Sequence, residues 1–168
     1  GMPFVLGEFD LSEKAYDINF KAARLARECA DEFSTPDKPR YVAGSMGPTT
    51  KSLSVTGGIT FDEMAESYYQ LTVPLIKGGS DFLLLETALD TLNLKAGYCG
   101  ILKAFEELGV ELPIAISGTI ETMGTMLAGQ GVEALYTSVE HMDLLYIGLN
   151  CATGPEFMRD HIRTFSEM

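Results

Sequence analysis

Two side chains carry the chemistry that this sequence offers. Cys151 ends an apolar run, Leu144-Leu145-Tyr146-Ile147-Gly148-Leu149-Asn150, and Ala152-Thr153-Gly154-Pro155 follows it. A run of that kind, stopped by Gly-Pro and an amphipathic segment, predicts a buried parallel strand that delivers a thiol to its carboxyl end. There the thiolate can act as a nucleophile or as a soft metal ligand, while the common alternative for a free cysteine is a small buried hydrophobe. Glu86 closes a second apolar run, Leu83-Leu84-Leu85. A carboxylate at the rim of a dry core requires a partner, which can be an ammonium group, a cation or the backbone donors of a helix start.

The other polar groups at predicted strand ends are Ser45, Thr87, Ser117, Thr119 and Asn150, with Asp90 at the start of a helix. Cys29 and Cys99 fall inside helices and fit the buried-hydrophobe reading. His141 and His161 also lie on helices, away from any ligand spacing, and read as structural or surface residues. Lys51 and Lys95 are placed in a loop and a helix, which argues against a Schiff-base enzyme. The Gly-rich stretch Met123 to Gly131 has neither a dinucleotide fingerprint nor a phosphate loop, and reads as a loop over the active face or simply a flexible one.

The elements that must position these groups alternate. A long amphipathic helix is expected from an Asp10 cap to about Phe33, its apolar stripe formed by Ala15, Ile18, Ala22, Leu25, Ala26 and Cys29. Strands follow near Tyr41–Met46, Asp81–Thr87, Pro113–Ile120 and from Leu144. Helices are expected from the Thr60–Glu63 capping box to about Lys77, from Thr91 to Leu108 behind an Asp90 cap, from about Val132 to His141, and from Pro155 onward. Pro74 predicts a kink or an early stop. Four β/α units with short connections make an α/β domain with parallel strands. A closed (β/α)8 barrel needs eight strands and about 250 residues, so the expectation is a partial barrel or an open sheet, residues 1–168 forming one domain.

The 168 residues include 46% hydrophobic and 21% charged positions, the make-up of an ordinary folded domain. With 24 Asp and Glu against 12 Lys and Arg, the net charge of −12 argues against nucleic acids and anionic membranes as partners. Three widely spaced cysteines suggest no disulfide framework, and a reducing cytoplasm is expected. Gly1 before Met2 reads as a cleavage scar, and residues 1–9 as an irregular start.

Taken in order, Tyr41-Val42-Ala43-Gly44-Ser45-Met46-Gly47-Pro48-Thr49, Gly57-Gly58-Ile59-Thr60-Phe61-Asp62-Glu63, Leu85-Glu86-Thr87 with Asp90, Ile116-Ser117-Gly118-Thr119-Ile120, Leu127-Ala128-Gly129-Gln130 and Ile147-Gly148-Leu149-Asn150-Cys151 resemble the homocysteine S-methyltransferase family. Within it they look most like the homocysteine-binding domain of the cobalamin-dependent methionine synthases. The resemblance implies a (β/α)8 barrel whose third to sixth strands are the ones seen here.

It further implies that Cys151 is the first of three cysteine ligands to a catalytic zinc, and that Glu86 receives the ammonium group of homocysteine. Asp90, Thr119 and Asn150 become substrate-site candidates, and the methyl group would come from methylcobalamin on another domain. The family's Gly-Gly-Cys-Cys-Gly segment, which carries the other two ligands, and its early Asp-Gly segment have no counterpart in the chain. The expectation is therefore a fragment that is inactive alone, completed by missing barrel segments or by a second copy. The alternatives are a self-associating non-catalytic module, a fragment of an enzyme using betaine or S-methylmethionine, or an unrelated zinc-free enzyme with Glu86 as general base.

Overall fold

A computed structural model describes residues 1–168. Four strands, β1 (Ala43–Met46), β2 (Phe82–Ala88), β3 (Ile114–Gly118) and β4 (Tyr146–Leu149), form one all-parallel sheet in the order β1-β2-β3-β4. Six helices accompany them: α1 (Pro3–Gly7), α2 (Ala15–Phe33), α3 (Phe61–Gly78), α4 (Thr91–Leu108), α5 (Val132–Val139) and α6 (Pro155–Glu167). Each strand is followed by a helix, and the strand order follows the chain, so the sheet is an open sector of a β/α barrel.

The core lies between the helices and one sheet face. Leu83, Leu85, Ile114 and Ile116 point from β2 and β3 into a cluster with Met64, Tyr68 and Leu71 of α3 and Leu94 and Ile101 of α4. The alternate residues Ser45, Leu84, Glu86, Ser117, Tyr146 and Gly148 occupy the opposite face, since side chains alternate along a strand. Helices α3 and α4 cross closely because Gly100 has no side chain. A Cβ there would lie 2.8 Å from the Tyr69 backbone nitrogen and closer still to the Ala65 carbonyl oxygen.

Local signals set the helix limits. Thr60 accepts from the Glu63 N–H at 3.3 Å while the Glu63 carboxylate accepts from the Thr60 N–H at 2.8 Å, closing the capping box that opens α3. Gly79, at φ 101°, gives α3 its left-handed exit. Asp90 caps α4 by accepting from the Leu92 N–H at 2.9 Å, and Gly109 ends it. These limits match the sequence expectation.

Several expectations need correction. Asp10 does not cap the long helix. It sits in a left-handed turn, φ 57°, just after α1, where the Leu11 N–H returns to the Leu6 carbonyl at 3.0 Å; a 3-10 turn at Ser12–Lys14 then leads into α2 at Ala15. The stretch read as irregular therefore holds α1, and Met2 is buried in the core. Pro74 does not stop α3 short: Leu71 to Leu75 are all buried, and that packing carries the helix through Gly78 despite one lost backbone bond.

The burial of α2 is also rotated from the expected stripe. It buries Ala15, Asn19 and Ala23, while Ile18 and Leu25 are exposed, Leu25 by 63%. The reason is proximity: Gly78 of α3 leaves room only for the small Ala23, so α2 docks along its small residues rather than its large ones. The same rotation exposes Cys29, and Cys99 lies on the outer face of α4, so neither is the buried hydrophobe expected.

Candidate functional site

Parallel strands in register bring their carboxyl ends to one rim. Glu86 lies near the end of β2, and Cys151 follows β4 by two residues, so the two share an edge of the sheet, with Ser117 at the end of β3 between them. The Ser45 hydroxyl, from β1, donates to Glu86 Oε1, which fixes the carboxylate across the open face of the sheet.

Asn150 joins the strand ends. Its Oδ1 accepts from the Thr87 N–H at 3.2 Å and from the Ser117 hydroxyl at 2.6 Å; its Nδ2 donates to Thr87 Oγ1 at 2.9 Å and to Cys151 Sγ at 3.1 Å. Thr119 Oγ1 lies 3.5 Å from the same sulfur, and its N–H donates to the Ala88 carbonyl at 2.9 Å. Three residues here have left-handed backbones without being glycine: Thr87 at φ 55°, Cys151 at 41° and Ala152 at 52°. Such conformations are costly for residues with a Cβ and cluster where surrounding contacts over-determine them. Thr87 also falls where the β2–β3 register slips, between Leu85 and Ala88.

Asp90 stands apart from the open rim. It is fully buried, and its carboxylate accepts from Ser52 Oγ at 2.6 Å, Ser54 N–H at 2.8 Å, Ser54 Oγ at 2.9 Å and the Leu92 N–H. Burial pushes its pKa up, but those donors outweigh burial and hold it below the usual aspartate value. Tyr68 lies beside it, and burial first, then the Asp90 charge, push the phenol up so that it stays protonated. Beside Glu86 a cleft of about 70 Å³ is lined by Met46, Lys51, Tyr68, Glu86, Asn93 and Leu127.

Leu127 belongs to the Gly-rich loop, whose Ala128 N–H bonds the Leu89 carbonyl at 3.1 Å. The stretch read as either a cover or a flexible loop is thus pinned over this rim. Lys51, set aside on sequence, lines the same cleft, with its Nζ donating to the Gly58 carbonyl at 2.8 Å. Thr87 and Ser117 were visible as rim residues, yet nothing in their spacing announced that they grip Asn150.

A zinc ion fits this chain poorly by itself. Cys151 is one soft donor at the rim, Cys29 and Cys99 are on outer helix faces, and no three His, Cys, Asp or Glu side chains converge.

The model of the homocysteine S-methyltransferase family matches residues 2–168. This chain belongs to that family. Among family relatives, the methionine synthases of Mycobacterium tuberculosis and Mycobacterium leprae are each 40% identical to it over 161 and 162 residues, 96% of this chain. The chain spans only 13% of the length of either. In three dimensions it resembles the apo crystal structure of the homocysteine methyltransferase MmuM from Escherichia coli, with a TM-score of 0.74 over 92% of this chain and 56% of that one. At 17% identity that likeness speaks for the fold alone. It bears out a partial barrel of four parallel strands.

Proposed function

We propose that residues 2–168 supply the part of a homocysteine-methylating barrel that receives the amino-acid end of homocysteine and contributes one thiolate to a zinc site. The observation that carries this reading is the shared rim: Glu86, held by Ser45, and Cys151, held by Asn150, face the same end of a parallel sheet. Glu86 is the ammonium acceptor, because it is half-buried and its one side-chain donor leaves carboxylate valences free. Thr119 lines the sulfur side of the site. Asp90, enclosed and saturated, shapes the floor by fixing the 52–54 loop.

A three-thiolate zinc site needs two ligands besides Cys151, and Cys29 and Cys99, on outer helix faces, do not supply them. Zinc held by the full set would favour the deprotonated thiol of homocysteine near neutral pH. Methylcobalamin on another domain is the methyl donor; the 40% identity to methionine synthases supports it over betaine or S-methylmethionine. The three free thiols and the acidic surface suit the cytoplasm, and no helix is long and apolar enough to cross a membrane.

The test is homocysteine calorimetry and zinc content on a polypeptide carrying residues 2–168 within a complete barrel. Cys151→Ala is expected to lose zinc and methyl transfer together; unimpaired transfer by that variant removes Cys151 from its role. A second reading, a self-associating non-catalytic half barrel, is favoured by one observation: β1 and β4 are both unpaired edges, and Leu145 and Tyr146 of the β4 edge are exposed.

A further inference from the structure

Asn150 spends its whole side-chain amide on partners within the chain. Its side-chain amide has two acceptor and two donor positions, and all four are filled within the chain. The partners also fix which way the amide faces. A backbone N–H can only donate, so the atom 3.2 Å from the Thr87 nitrogen must be the amide oxygen. The NH2 group is then left facing Thr87 Oγ1 and the sulfur of Cys151, at 2.9 and 3.1 Å.

We propose that Asn150 is a positioning residue for Cys151, clamped by Thr87 and Ser117 so that one amide proton is aimed at the sulfur and holds it at the rim. The proposal rests on the reading of Cys151 as a ligand and adds the residues that orient it. Thr87 is central because it grips both ends of the amide, the oxygen through its N–H and the nitrogen through its hydroxyl. Both groups lie where β2 departs from regular pairing: Thr87 is left-handed at φ 55°, and the β2–β3 register slips between Leu85 and Ala88. Ser117 closes the clamp from β3 at 2.6 Å. The ends of β2 and β3 therefore dictate where a side chain following β4 can sit, and the sulfur receives a donor, as metal-bound sulfurs commonly do from groups beyond the ligand set.

A plain staple between strands would hold Asn150 just as well but would be indifferent to the sulfur. Side-chain amide resonances distinguish the two in the isotope-labelled 168-residue chain, free of metal and substrate; only Asn19, Asn93 and Asn150 contribute asparagine signals. Cys151→Ala should shift one Asn150 side-chain proton and speed its exchange about fivefold, the worth of one net hydrogen bond, while sparing its geminal partner. Thr87→Val, which keeps the shape and removes the hydroxyl, should average the Cys151 χ1 couplings over several rotamers, and Thr87→Ser should restore a single one. Should Thr87→Val not fold, Ser117→Ala opens the clamp away from the left-handed residue and is expected to loosen Cys151 in the same way.

Asn150 protons that ignore Cys151→Ala, or a Cys151 rotamer unchanged by opening the clamp, would overturn the proposal. Either result leaves the zinc reading standing. Loss of that reading with the amide signature intact would instead leave a positioned thiol without a metal role.

Discussion

On the proposed reading, Glu86 and Cys151 divide the labour at the rim by the chemistry of their side chains. A carboxylate with free lone pairs suits an ammonium group, and charge-assisted hydrogen bonds contribute about 1.5–3 kcal/mol each. Glu86→Gln should therefore weaken homocysteine binding by the complete barrel roughly tenfold or more at neutral pH, read by calorimetry. Unchanged affinity would move the ammonium site elsewhere. Ser45→Ala should have a smaller effect in the same direction, because it removes the group that aims Glu86 and not the charge itself. The rim positions were legible from sequence, since an apolar run ending in a polar residue marks a strand end. Their partners were not, because Ser45 and Glu86, or Thr87 and Asn150, meet only across strands far apart in sequence.

At the scale of elements, the loop–helix junction at Asp90 and the α3–α4 crossing decide stability near the site. Asp90→Ala removes a helix cap and strands the Ser52 and Ser54 donors, and should cost about 2–4 kcal/mol in denaturant unfolding; Asp90→Asn, keeping one acceptor oxygen, should cost less. The pH dependence has a definite sign. The folded Asp90 pKa lies below its ordinary value of 3.8, so its stabilisation is present above that pH and is lost as pH falls through the lowered folded value. The Asp90→Asn variant should lose less stability than the parent on acidification through that window.

Gly100→Val should destabilise the chain by about 1–3 kcal/mol or more by forcing α3 and α4 apart, visible as a lower melting temperature. A neutral outcome would mean the crossing is looser than the geometry indicates. The Asp90 cap and the Thr60 box were readable in advance because each signal is local. The face buried by α2 was not. Its largest apolar residues predict one stripe, yet Gly78 admits only Ala23, and close backbone approach outweighed hydrophobic size.

For the whole molecule, four strands leave two parallel edges and an open face that closed barrels do not have. Two copies related by a two-fold along the barrel axis would set β4 of each against β1 of the other and bring the strand number to the eight that closure needs. The isolated 168-residue polypeptide is therefore expected to self-associate in sedimentation, and Tyr146→Lys, on the exposed β4 edge, should shift it toward monomer. A stable monomer at high concentration would show that the open face is covered from within the chain.

Sequence by itself determined the β/α alternation, the parallel sheet, the Thr60 and Asp90 helix caps and the family, because these rest on periodicity, on caps that span a few residues and on motifs in a fixed order. Tertiary structure alone decided which hydrogen bonds aim Glu86 and Cys151, that Asp90 is sealed beneath the rim, and which side of α2 meets the core. Those outcomes depend on atoms brought within 3 Å or so from distant parts of the chain, where sterics and donor–acceptor matching, rather than local pattern, select the arrangement.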